Sequence, residues 1–148
     1  MIENLSNLLQ QTNKNKLFVG IGNVLKNDDG IGVFISNKIK ESASIQRLTV
    51  EVSIENYLGK INSLNPDVLI LIDCVDFGKT AGYYELLPAE KVKDFTFNTH
   101  NISLKKISEL FKMPVYILGI QPQNIEFGEE VSKIVLETAQ KIINIINQ

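Results

Sequence analysis

Residues 16–32 read KLFVGIGNVLKNDDGIG. The apolar run Leu17–Ile21 breaks into glycines, delivers the adjacent carboxylates Asp28 and Asp29, and is followed by Ile31, Phe34, Ile35 and Ile39 at helical spacing within Ile31–Lys40. This order spells a buried strand, a loop and an amphipathic helix.

The pattern recurs outward from this unit. Arg47–Val52 alternates as a second strand, and Glu55–Leu64 predicts a short helix that stops near Asn65-Pro66. Asp67–Ile72, DVLILI, is a nearly continuous apolar run of the kind that fills the centre of a parallel sheet, with Asp73 at its end. Asp76–Gly82 reads as a turn, Tyr83–Leu87 as an edge strand stopped by Pro88, Ser103–Phe111 as a short helix and Val115–Leu118 as a last strand reaching Gly119. Glu129–Asn147 sets Val131, Ile134, Val135, Ala139, Ile142 and Ile146 on one face of the longest amphipathic helix. Ile2, Leu5, Leu8 and Leu9 predict a short leading helix, so that residues 1–15 form a peripheral segment of one domain spanning residues 1–148.

Helices alternating with apolar strands imply an α/β fold, a mostly parallel twisted sheet with helices on both faces. Ligands of such sheets bind beyond the carboxyl ends of the strands. The Gly20–Asp29 loop, Asp73 with Asp76, and Gly119–Pro122 all fall on that edge, and His100 arrives there on a loop.

Fifteen basic and seventeen acidic residues give a formal charge of −2, which argues against nucleic acid or an anionic membrane surface as partner. Cys74 is the single cysteine, so there is no intrachain disulfide or cysteine-rich zinc site. With neither a basic, apolar leader nor an apolar run long enough to span a bilayer, the expected location is the cytoplasm without membrane insertion.

Gly20-x-Gly22 after a strand invites a dinucleotide reading, but Leu25 stands where a third glycine belongs and two aspartates occupy the place of a phosphate. No nucleotide is therefore expected. Asp28 and Asp29 fit either helix capping or, since two adjacent like charges repel, a cation or proton-transfer role. Asp73 closes an apolar strand and needs either loop amides or a metal. His100 is a surface imidazole or a ligand. Together, two carboxylates and an imidazole suit a borderline divalent ion such as nickel, zinc or cobalt. A Cys74–His100 nucleophilic pair competes poorly, because strand alternation turns Cys74 away from the face Asp73 occupies.

Four motifs then carry a resemblance: Gly20-Ile21-Gly22-Asn23 with Asp28-Asp29-Gly30-Ile31-Gly32; Asp67–Asp73 through Asp76-Phe77-Gly78; Thr99-His100-Asn101; and Gly119-Ile120-Gln121-Pro122. In this order the sequence resembles the hydrogenase maturation proteases, endopeptidases that trim the C-terminal extension of nickel-iron hydrogenase large subunits. The resemblance implies a single-domain α/β sandwich and places the metal-site ligands and catalytic residues at Asp29, Asp73 and His100. Asp28 is then the expected helix cap. Gly22, Asn23, Gly119 and Gln121 are the expected substrate-binding residues, with Gly20, Gly22, Gly30, Gly32 and Gly119 giving clearance to the substrate backbone or simply forming turns. The implied partner is a hydrogenase large-subunit precursor that itself presents the nickel. Ser53-Ile54-Glu55-Asn56 is similar to the branch acting on membrane-bound or hydrogen-evolving hydrogenases. Members of the family usually have glycines just before this stretch, where this chain has Val50-Glu51-Val52. A non-enzymatic nickel or large-subunit chaperone using the same surface is the alternative.

Overall fold

The structure is a computed structural model that describes residues 4–92 and 104–148. Five strands, β1 (Lys16–Ile21), β2 (Ile45–Glu51), β3 (Val68–Cys74), β4 (Tyr84–Pro88) and β5 (Val115–Ile120), form one sheet in the order β2-β1-β3-β5-β4. All neighbours run parallel except β4, which pairs antiparallel with β5 at the edge. Around the sheet lie α1 (Leu5–Gln10), α2 (Ile31–Lys38), α3 (Leu58–Leu64), α4 (Leu104–Ser108) and α5 (Lys133–Ile146).

Period-two alternation divides the central strands between two cores. Phe18, Ile70, Ile72, Leu118 and Ile120 pack with Ile31, Ile35, Val135, Ala139 and Ile142 of α2 and α5. Leu17, Val19, Leu69, Leu71 and Ile117 pack on the other face with Ile54, Ile61, Ile107 and Phe111. β3 is buried along its whole length, which explains its uninterrupted apolar run. Each face removes most of its apolar area from water, the dominant favourable contribution to such a fold.

Two predicted helices shift. The last helix begins at Lys133, four residues after Glu129, because the segment before it is hydrogen-bonded into the β1–α2 loop. Ile134 stands 41% exposed, whereas Thr138 and Ile143 join the buried stripe. The helix expected over 55–64 starts as a 3-10 turn, Ile54–Tyr57, and α3 ends with Asn65 in the left-handed region at φ 50° before Pro66. Among the described residues, no helix is long and apolar enough to cross a membrane.

Candidate functional site

The site begins where β1 ends. The chain leaves Ile21 through Gly22, at φ 144°, and returns in a 3-10 turn, Asn27–Gly30, that leads directly into α2. Gly22 and Gly32 are required by close approach: a Cβ on Gly22 would strike the Asp29 carbonyl, and one on Gly32 would strike the carbonyls of Ile72 and Ile21. Without these side chains the 3-10 turn and α2 sit directly on β1 and β3.

Asp29 is buried, and its Oδ2 accepts a hydrogen bond from the Asn23 N–H at 3.0 Å, tying the two ends of the loop. Asp73 is also buried, with its Oδ1 accepting from the Cys74 N–H at 2.8 Å at the end of β3. The turn carrying Asp29 packs against β3, so the two carboxylates share one sheet edge. Asp73 follows Leu69 and Leu71 in alternation, on the face of Ala89, Val92 and Ile107, the described core residues on either side of 93–103. His100, with Thr99 and Asn101, lies outside the described residues. Among the described residues alone, no group of three His, Cys, Asp or Glu side chains is placed to hold a metal ion.

Cys74 alternates to the opposite face, buried among Ile72, Leu118 and Ile120, and is a free thiol. Burial raises its pKa well above the ordinary thiol range, and repulsion from Asp73, Asp29, Asp28 and Asp76 adds to the effect. This thiol is not a nucleophile at neutral pH. The same four repulsions locate an electronegative cluster at the carboxyl edge of the sheet.

Asp28 departs from expectation. It does not cap α2, whose N-cap is Gly30 without a side-chain bond. Its Oδ1 accepts from the Ser132 N–H at 2.6 Å, and its Oδ2 accepts from the N–H groups of Gln123 and Asn124 at 2.8 and 2.9 Å and from the Ser132 hydroxyl at 2.7 Å. Asp28 is a clasp between the β1–α2 loop and the segment before α5. Asn27 adds to the clasp: its Nδ2 donates to the Glu126 carbonyl at 2.9 Å and its Oδ1 accepts from the Glu130 N–H at 3.1 Å.

Two of the expected substrate-binding residues are engaged within the protein. Gln121 accepts from the Phe77 N–H at 2.6 Å through Oε1 and donates to Asp76 Oδ1 at 3.1 Å through Nε2, fixing the turn that Asp76 also closes with the Gly78 N–H. A Cβ on Gly119 would meet the Phe77 ring and Val75. The missing side chains of Gly22, Gly32 and Gly119 thus serve internal packing.

Gly22 and Asn23 do face open space. With Val50, Glu51, Val52, Ser53, Asn56 and Tyr57 they line a cleft of about 580 Å³ that runs beside the Asp29 loop. The departure at Val50-Glu51-Val52 has a structural counterpart here, since Glu51 adopts φ 55°, the left-handed conformation that favours glycine.

The family model described as hydrogenase maturation protease matches residues 52–148. The chain belongs to the hydrogenase maturation protease family. A Methanocaldococcus jannaschii protein with a provisional hydrogenase maturation protease name is 27% identical over 145 residues, spanning 88% of this chain and 85% of the relative. The crystal structure of the NiFe hydrogenase maturation protease HycI from Thermococcus kodakarensis superposes with TM-score 0.81 at 23% identity, covering 97% of this chain and 99% of that one. The solution structure of the endopeptidase HycI from Escherichia coli gives 0.76 at 22% identity, covering 88% and 87%. These two structures share the five-stranded, mostly parallel α/β fold.

Proposed function

We propose that this maturation protease removes the C-terminal extension of a nickel-iron hydrogenase large-subunit precursor after nickel insertion, and that it recognises the nickel through Asp29, Asp73 and His100. The observation that carries this reading is the pair of buried carboxylates at one sheet edge, beside a cleft of about 580 Å³. Burying two like charges together is costly, and a divalent cation is the complement that relieves the cost. Two carboxylate oxygens and an imidazole nitrogen form a donor set that suits nickel. Ser53 and Asn56 line part of the cleft, and the resemblance carried by Ser53–Asn56 extends the proposal to a precursor from a membrane-bound or hydrogen-evolving hydrogenase.

In this reading the metal arrives with the substrate, and cleavage tests whether the precursor is loaded. Nickel at the edge would acidify a bound water and polarise the scissile carbonyl. The chain contributes position and proton handling. Asn23 N–H holds one oxygen of Asp29, which fixes that carboxylate as a ligand or as the base that takes a proton from water. The Asp28 clasp and the Gln121-bound turn keep the surrounding loops in place.

The test mixes the purified protein with nickel-loaded and nickel-free precursor and looks for the released C-terminal peptide by mass spectrometry. The expected result is release from the loaded precursor alone. Stable association without a peptide would replace the protease by a maturation chaperone.

A further inference from the structure

From the wall of the cleft we infer that Glu51 is a specificity residue, binding a lysine or arginine side chain of the peptide that enters beside the Asp29 loop. This rests on the proposed protease reading and adds to it the charge of the substrate segment.

Three observations converge on Glu51. The register of β2 against β1 slips after the Gly20–Thr49 pair, so that Ile21 pairs with Glu51 and Val50 becomes the extra residue of a bulge. Val50 turns into the core at 4% exposure, and Glu51 is left exposed on the cleft wall. Bulges of this kind re-aim side chains next to active sites.

The backbone of Glu51 is also held in the left-handed region at φ 55°, its carbonyl accepting the Gly22 N–H at 2.9 Å. A glutamate has a Cβ that makes this conformation unfavourable, whereas glycine would adopt it freely. Such strain points to a use for the side chain.

That use is not found among the described residues. Among the described residues no ion pair or side-chain hydrogen bond engages the Glu51 carboxylate, and the other described residues of the cleft wall carry no formal charge. Asn56 and Tyr57 supply polar atoms beside it. A carboxylate on an otherwise neutral wall favours a cationic group, which a lysine or arginine of the entering peptide would supply.

The experiment measures binding, which does not depend on turnover. Fluorescence anisotropy follows two labelled extended decapeptides, one with a central arginine and one with glutamine in its place, on the full-length protein and on its Glu51→Gln and Glu51→Gly variants. Wild type is expected to prefer the arginine peptide by about three- to fivefold, the range of an exposed ion pair. The preference should shrink as salt rises from about 50 mM to about 500 mM. Both variants should lose it, and Glu51→Gly, which relaxes the backbone, guards against a folding artefact. Equal binding of the peptides by wild type, or an undiminished preference in the variants, would overturn the inference. Precursor cleavage is assayed in parallel: wild type that discriminates but does not cleave overturns the protease reading and leaves Glu51 as a selector. Wild type that cleaves without discriminating does the reverse.

Discussion

Asp28 and Ser132 are joined twice across 104 residues, the carboxylate accepting the backbone N–H at 2.6 Å and the hydroxyl at 2.7 Å. Two further N–H groups, of Gln123 and Asn124, converge on the same carboxylate. Removing a buried acceptor leaves its donors with no partner, so Asp28→Ala is expected to destabilise the fold by about 3 kcal/mol. Asp28→Asn should lose about 2 kcal/mol, because its amide nitrogen would confront N–H donors. Urea unfolding reads both, and a wild-type midpoint for Asp28→Ala would show that the clasp contributes nothing.

Two glycines that look alike in the sequence should respond oppositely to alanine. At Gly32 the new methyl would meet the Ile72 and Ile21 carbonyls, which belong to adjacent strands and cannot turn aside. Gly32→Ala is expected to cost about 3 kcal/mol or more. Gly59 lies within α3 with nothing near its Cβ position, so Gly59→Ala should stabilise by roughly 0.5–1 kcal/mol through helix propensity. Thermal unfolding of the pair decides the matter, and equal shifts would contradict the packing described at Gly32.

The contrast shows what the sequence could reveal. DVLILI announces a central strand because burial on both sheet faces demands apolar residues at every position, and the antiparallel edge strand is foretold by its closing Pro88. Asp73 and Cys74 fall on opposite faces by alternation alone. Local rules make Asp28 a cap because they see only the helix beside it, while its partners are 95–104 residues away. The same distant clasp delays α5 to Lys133, against a periodicity that begins earlier. Glu51 gives no local sign of φ 55°, since the bulge arises from the pairing of β1 with β2.

Lys16 gives the protein a pH dependence at the alkaline end. The side chain is 1% exposed, and its Nζ donates to the carbonyls of Gln11 and Lys14 at 2.7 and 3.0 Å, closing the connection after α1. Desolvation lowers its pKa from 10.5, opposed by attraction to Asp67. The folded protein therefore releases this proton before the unfolded chain does. Between the lowered value and 10.5 the unfolded state binds more protons, and stability contributed by Lys16 rises with pH through that window. Lys16→Met lacks the titration, so the stability of wild type relative to the variant should grow as pH climbs from neutral toward 10.5. A difference that stays flat or shrinks would refute the assignment.

The sharpest test of the site separates two neighbouring aspartates. Asp28 joins segments 95–104 residues apart, whereas the Asn23 N–H bond to Asp29 lies within one loop, so the loss in Asp28→Ala should show chiefly in stability and the loss in Asp29→Ala chiefly in cleavage. If Asp29, Asp73 and His100 hold the substrate's nickel, alanine at any of them should reduce precursor cleavage by more than the roughly 10–100-fold typical of losing an outer partner of a metal ligand. Mass spectrometry of the released peptide measures cleavage, and urea unfolding of the same preparations verifies the fold. Asp29→Asn and Asp73→Asn keep shape and hydrogen-bonding capacity while removing the charge, so cleavage by these folded variants should fall as well. Full processing by all the folded variants would mean that the carboxylates at the sheet edge only hold loops together, as Asp28 does.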